Sequence, residues 1–277
     1  MRKSRTVFGF FLTIQFFSLS LFATQLAPWF GNVYEFEPTV SYLHFHSRKI
    51  DMDEKTRHHR LWGNIETFSL MFTPIPEVST EFEISGFNSR EHEFGLEKTK
   101  GTARYLFLND VAGDIASVSS GISTSFIPRR SFHDISLLHH GYYETEIHGA
   151  IGKEFGFLGT SNFFSRAYFV SLLGVAERGC PWVREEAHFE ELFQDICSLD
   201  LFCKAERGFG KHQIHHIHRF KGYGEIHYRT IDLGLGLNFS IDDFGLLYAK
   251  GLYRVNAKNA PKELYAFEVG LDVPFSF

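Results

Sequence analysis

The sequence predicts an all-β fold: a transmembrane, antiparallel, up-and-down β-barrel of about ten strands, with twelve as the alternative. Three observations predict it. Apolar and polar residues alternate in many segments, the connections between those segments alternate between short and long, and the last segment alternates to the final residue. The mean hydropathy of −0.14 is too low for a bundle of membrane helices.

The C-terminal segment carries the strongest pattern. Because alternate side chains of a strand point to opposite faces, residues 264–277 divide into two series. One series is wholly apolar and ends in an aromatic residue: Tyr265, Phe267, Val269, Leu271, Val273, Phe275 and Phe277. The other carries small residues and the carboxylates Glu268 and Asp272. A soluble sandwich could bury such an apolar face, but the length and the aromatic end favour a strand that crosses a bilayer.

The N-terminus has the three parts of a secretory signal peptide. Arg2, Lys3 and Arg5 are basic, residues 7–22 are uncharged and apolar, and Ala23 suits the cleavage position. We therefore expect residues 1–23 to be removed and residues 24–277 to form the barrel; an uncleaved anchor is the alternative. Removal takes three of the 28 Lys and Arg residues and no acid, so the net charge falls from −5 to −8. This acidic balance argues against a nucleic-acid partner.

Together, the leader and the closing strand resemble those of bacterial outer-membrane β-barrel proteins. The resemblance implies location in the outer membrane of a Gram-negative-type cell, with lipid as the surroundings. It also implies recognition of the C-terminal strand, ending at Phe277, by the barrel assembly machinery.

A long external loop is predicted at residues 176–222. Within it, residues 181–196 have apolar residues near helical spacing and acids on the other side, which predicts a short helix starting at Pro181. This helix could form a lid or plug, or simply pack on neighbouring loops. If the insertion instead hides a hairpin, the barrel has twelve strands.

All three cysteines lie in or beside this insertion: Cys180, Cys197 and Cys203. An exported chain meets an oxidising compartment, so we expect a local Cys180–Cys197 or Cys197–Cys203 bridge. The odd cysteine would then be available to a disulfide partner.

Histidines are concentrated in the predicted external loops, which suggests metal binding or a pH response. The candidate metal ligands are His215, His216 and His218. The alternative is a set of solvated histidines without a ligand, and no cofactor is predicted.

The polar series of the strands predicts charges that face the lumen. The expected lumen-lining residues are Glu81, Glu83, Glu144, Glu146, Asp232, Glu268, Asp272, Arg104, Arg166 and Lys250. They would line a hydrated pore or rigidify a filled interior. Because ten strands lie between filled eight-stranded barrels and open porins, the sequence favours a narrow small-solute channel or a surface-exposed structural protein.

Enzymatic activity is less expected. No G-x-S-x-G, H-E-x-x-H or P-loop motif occurs. A lipid hydrolase or protease with a site at the barrel rim stays an alternative, with Ser131, Asp134 and His139 as examples of rim residues. A secreted or periplasmic β-sandwich that binds a ligand is a further alternative.

Overall fold

The computed structural model describes residues 26–52, 55–155, 165–193, 196–217, 220–241 and 245–276. The predicted signal peptide, His218 and Phe277 lie outside these residues. Among the described residues, no helix is long enough and apolar enough to cross a membrane.

Twelve long strands form the molecule. They are β1 (Glu35–Met52), β2 (Lys55–Ile75), β3 (Val78–Ser89), β4 (Gly95–Leu108), β5 (Ser117–Phe126), β6 (Tyr143–Glu154), β7 (Arg166–Ala176), β8 (Trp182–Phe193), β9 (Cys197–Phe209), β10 (His227–Ile241), β11 (Gly245–Lys258) and β13 (Tyr265–Asp272). The pieces β12 (Pro261–Lys262) and β14 (Phe275–Ser276) pair with β1. A 3₁₀ turn covers Asp110–Ala112, and α1 covers Arg129–Phe132.

The sheet closes on itself. Every long strand pairs antiparallel with its neighbours, and β1 pairs with both β2 and β13. Val40, for example, is opposite Phe68 on one side and Leu271 on the other. Closure gives each strand two partners and removes the exposed edge, which a chain in lipid requires. The sandwich alternative is therefore wrong.

The predicted helix at residues 181–196 and the count of ten strands are both wrong. Residues 182–193 form β8, residues 197–209 form β9, and the two strands pair as a hairpin. The supposed external loop at residues 176–222 therefore supplies two wall strands, which gives the alternative count of twelve. The physical reason is that β8 pairs along its length with β7 and β9, so its backbone groups are satisfied as a strand.

The outer surface is apolar and exposed. Exposed outward residues on the last three long strands include Leu233, Leu235, Leu237, Phe239, Leu247, Tyr253, Val255, Tyr265, Phe267, Val269 and Leu271. Water would penalise such a surface, whereas lipid tails do not.

The three cysteines are free thiols in this structure. Cys197 and Cys203 lie on the same face of β9 six residues apart, roughly 20 Å along a strand. A disulfide needs Cα atoms within about 7 Å, so the predicted bridge between them does not form. A disulfide with another chain stays a prediction.

The two ends of the barrel differ. At the terminal end lie residues 26–34, which precede β1, and the short turns at 76–77 and 109–116. At the opposite, loop end, long connections pack into a hydrophobic cluster. This loop cluster contains Ile50, Met52, Leu61, Ile135, Ile214, Phe220, Tyr223, Tyr228, Ala257 and Ala260.

Candidate functional site: a charged cavity inside the barrel

A cavity of about 450 Å³ lies inside the barrel. Eleven of the twelve long strands contribute residues to its lining. Among the described residues, its lining includes nine carboxylates and six lysine or arginine side chains. The lining is therefore acidic overall when the histidines are neutral.

One part of the lining is apolar. Leu43 on β1, Ile65 on β2, Leu252 on β11 and Ala266 on β13 all face the cavity. These four strands are neighbours in the closed sheet, and Leu43 lies directly opposite Ile65, as Leu252 does opposite Ala266. They form a continuous surface, which we call the apolar wall.

The rest of the lining is dominated by ion pairs, and we call it the ionic wall. The Nζ atom of Lys98 lies 3.0 Å from Glu83 Oε1, and that of Lys100 lies 3.3 Å from Glu146 Oε2. Arg184 Nε lies 3.0 Å from Glu186 Oε1. Opposite charges so close together in a lining shielded from bulk water attract each other more strongly than exposed pairs do.

Small residues on β5 allow some of these pairs to form. Lys100 is on β4 and Glu146 is on β6, so their contact passes over β5. The residues of β5 that point inward are Ser117, Ser119, Gly121, Ser123 and Ser125. Ser123 is 1% exposed, because longer side chains from the flanking strands cover it. A bulky residue in this row would separate the two charges.

Arg254 and Asp232 form a buried bidentate pair. Arg254 Nε donates to Asp232 Oδ1 at 2.6 Å, and its second nitrogen, Nη2, donates to Oδ2 at 2.9 Å. Two parallel hydrogen bonds fix both side chains in the plane of the guanidinium group. The pair joins β10 to β11 just beneath the loop cluster.

His188 is held between two aromatic rings. Its ring stacks on Tyr168 at 4.4 Å and faces Phe202 at 5.4 Å between ring centroids. Its Nδ1 lies 3.1 Å from Asp200 Oδ2, and its Nε2 lies 3.6 Å from Glu186 Oε2. With a carboxylate at each nitrogen, this histidine is rigidly positioned in the lining.

The N-terminal segment, residues 26–32, enters the terminal end of the barrel. Trp29 is 8% exposed and packs edge-on against Tyr168, with 5.8 Å between ring centroids. Its indole N–H donates to Asp110 Oδ1 at 2.9 Å, and the guanidinium of Arg166 lies 5.3 Å from its ring. These contacts anchor the segment to β7 and to the turn between β4 and β5.

Asp110 is the polar anchor of this segment. Partial burial pushes its pKa up, but hydrogen bonds from the backbone N–H of Glu154, the hydroxyl of Ser117 and the indole of Trp29 outweigh it. The pKa of Asp110 is therefore held below its ordinary value. The carboxylate form is the one that these donors recognise.

At the loop end, His140 ties the loop at residues 127–142 to the barrel wall. Its ring stacks on Trp182 with 3.7 Å between centroids. Its Nε2 lies 2.6 Å from the hydroxyl of Tyr228, which donates to Glu206 Oε1 at 2.5 Å. Its backbone N–H donates to Glu144 Oε1 at 2.5 Å. The loop at residues 127–142 is thus folded into the barrel.

The expected lumen-lining charges occupy two levels. The cavity is lined by Glu83, Glu144, Glu146, Asp232, Lys250 and Glu268. The other four lie towards the terminal end. The Arg104 guanidinium lies 4.9 Å from the centre of the Phe30 ring and donates a hydrogen bond to the hydroxyl of Ser79. It also has an electrostatic interaction with Glu81. Arg166 pairs with Glu154, and Asp272 accepts from Thr39 at 3.2 Å.

Sequence reasoning missed part of the ionic wall. The sequence predicts a helix at Arg184, Glu186 and His188 and a loop at Asp200 and Lys204, yet all five line the cavity. The available signal was alternation by twos in β9, where leucines and a cysteine alternate with serine, aspartate and lysine. That signal indicates a strand with a polar side and an apolar side.

The predicted metal site is not assembled by the residues that can be placed. His215 and His216 are exposed, and His218 lies outside the described residues. Within the part of the chain that the structure describes, no group of three His, Cys, Asp or Glu residues could hold a metal ion. Metal binding by this histidine cluster stays a prediction.

The rim residues named for enzymatic chemistry have separate partners. Ser131 donates its hydroxyl to the carbonyl of Leu96, whereas Asp134 accepts from Ser89 at 2.7 Å. His139 Nε2 lies 2.9 Å from a carboxylate oxygen of Glu97. Each residue has a structural role in tying the loop at 127–142 to β3 and β4.

Solved structures with a similar fold are outer-membrane barrels. The COG4313 outer membrane channel from Pseudomonas putida F1 matches with a TM-score of 0.69 and 11% identity, over 91% of this chain and 100% of that one. The NanC porin matches with a TM-score of 0.54 and 8% identity, over 85% and 98% of the two chains. The KdgM porin gives 0.52 and 9%, over 86% and 99%. No family model matches the sequence. No curated protein matches it either.

The closed twelve-stranded sheet, its apolar outer surface and these similarities define the class of protein. The chain has the fold of the bacterial outer-membrane β-barrels. An apolar outer surface of this kind suits a lipid bilayer, which would cover the outward apolar residues. Within that class, the three structures named above are a channel and two porins.

Proposed function

We propose that the protein is a narrow, gated channel for small charged solutes. The observation that carries the proposal is the cavity of about 450 Å³ inside the barrel, lined by fixed charges of both signs. A barrel that served only as a scaffold gains little from such a lining, because buried ion pairs seldom stabilise a protein more than apolar packing does. Paired charges do suit a path along which a hydrated ion must exchange its water for protein groups.

The gate that we propose has two parts, one at each end of the cavity. The N-terminal segment closes the terminal end through Trp29, and the loop at 127–142 closes the loop end through His140. Both lie outside the wall strands, so either can leave without breaking the hydrogen bonds between those strands. Segments of this kind supply the mobile elements of most proteins.

Recordings in planar lipid bilayers test the proposal. The refolded mature protein should give discrete current steps of small conductance, with brief closures. Replacing residues 26–32 by a flexible segment of equal length should raise the conductance or the open time. A folded barrel that gives no steps, with or without this segment, would mean that the lumen is filled and that the protein has a structural role. Folding is checked on gels by the difference in mobility between heated and unheated samples.

A further inference from the structure

We propose that the solute accommodated by this cavity is an organic cation with an apolar body, such as a primary amine attached to a ring or a short alkyl chain. This inference rests on the proposed channel function and adds the class of solute. Three features of the cavity carry it: its two unlike walls, its surplus of carboxylates, and a carboxylate oxygen that lacks a partner.

The two walls divide the cavity by polarity. The apolar wall comes from four adjacent strands, with Leu43, Ile65 and Leu252 among its residues. A path for hydrated inorganic ions needs no such surface, because an apolar side offers no ligand to replace their water. An apolar body laid against this wall would release water from both surfaces.

The charge of the lining favours a cation. Among the described residues, nine carboxylates face the cavity against six lysines and arginines, so the lining has excess negative charge while its histidines are neutral. An anion would have to enter this negative lining, in surroundings where charges are weakly screened. A cation compensates the surplus.

Carboxylates also border the apolar wall. Glu268 is directly opposite Leu43 in the pairing of β13 with β1, so one carboxylate stands beside the apolar surface. Glu83 is on β3, next to β2 of the same wall, and is 3% exposed. Its Oε1 is occupied by Lys98 and Ser85, whereas its Oε2 has no hydrogen-bond partner among the described residues. A buried carboxylate oxygen without a donor is costly, and an ammonium group can supply the missing donor.

Binding and conductance are measured separately. Isothermal titration of the folded, detergent-solubilised protein uses benzylammonium, with methylammonium and benzoate as controls for the apolar body and for the charge. We expect benzylammonium to bind about tenfold tighter than either control. In bilayers it should block the potassium current reversibly, and benzoate should not.

Single substitutions test the contribution of each wall to ligand binding. Glu83→Gln should weaken benzylammonium binding by about tenfold, since it removes a charged acceptor. Leu43→Thr should weaken benzylammonium but leave methylammonium unchanged. Glu77→Gln, at an exposed turn, is the matched control and should have no effect. Equal binding of benzoate and benzylammonium would overturn the inference while a conducting channel remains. Binding of benzylammonium without any conductance would overturn the channel function but support the ligand class.

Discussion

Replacing Trp29 with alanine should release the N-terminal segment from the terminal end of the barrel. The side chain is 8% exposed, donates a hydrogen bond to Asp110 and packs against Tyr168 and Arg166. Losing a buried tryptophan typically costs about 3–5 kcal/mol. If that cost falls on docking of the segment, the ratio of docked to undocked forms decreases roughly 10²- to 4 × 10³-fold.

The assay is single-channel recording, with open probability as the readout. We expect long openings in Trp29→Ala, because the wall strands are unchanged and only the closing segment is weakened. Val33→Ala is the control, since Val33 is in the same stretch of chain and is exposed. Unchanged gating in Trp29→Ala, together with a lower unfolding temperature on gels, would refute the reasoning. The tryptophan would then stabilise the wall rather than close it.

Three further predictions concern single contacts. Hydrogen bonds hold the pKa of Asp110 below its ordinary 3.8, so the docking that they support is complete above pH 3.8 and is lost as the pH falls through the lowered pKa. In the native protein, the open probability should therefore rise as the pH falls through that range. Asp110→Asn should remove this pH dependence in bilayer recordings. Arg254→Ala leaves Asp232 buried without its cation and should destabilise the barrel by about 3–5 kcal/mol, measured as a lower temperature for the gel mobility shift. Replacing both residues by leucine should restore most of the lost stability. A double variant that is no more stable than Arg254→Ala would contradict the pairing argument. Gly222→Ala should loosen the loop cluster and speed limited proteolysis there, because Gly222 has φ +79° and packs against an aromatic ring, whereas Gly113→Ala at φ +110° faces open space and should leave the loops protected.

The sequence predicts the lipid-facing strands best. In residues 265–275 every second side chain is apolar, and in the structure these same side chains are exposed on the outer surface. Lipid requires the apolar character on one face and accepts either polar or small residues on the other, so the alternation remains readable. The closure of the fold follows from the same requirement.

The error at β8 has a physical cause. Its outward series includes Glu185 and Glu191 among apolar residues, so alternation by twos is interrupted. Phe189, Leu192, Phe193 and Ile196 then match helical spacing equally well. The neighbouring strands decide the outcome, because β7 and β9 each offer a complete ladder to β8.

The composition of the ionic wall needs three-dimensional pairing. Lys100 and Glu146 are 46 residues apart and lie on strands that are not neighbours in the sheet. Alternation indicates that both face inward, but it does not indicate that they meet. Their contact depends on the size of the residues between them, which only the closed barrel brings into place.

The row of serines and glycine on β5 gives the barrel an inner surface that carries no charge of its own. Side chains there are short, and the contact between Lys100 and Glu146 passes over them. Adding a cysteine at Ser125, which faces the cavity, would let thiol reagents of increasing length be attached one at a time. The fraction of the current that each attached group blocks would then measure the diameter of the path.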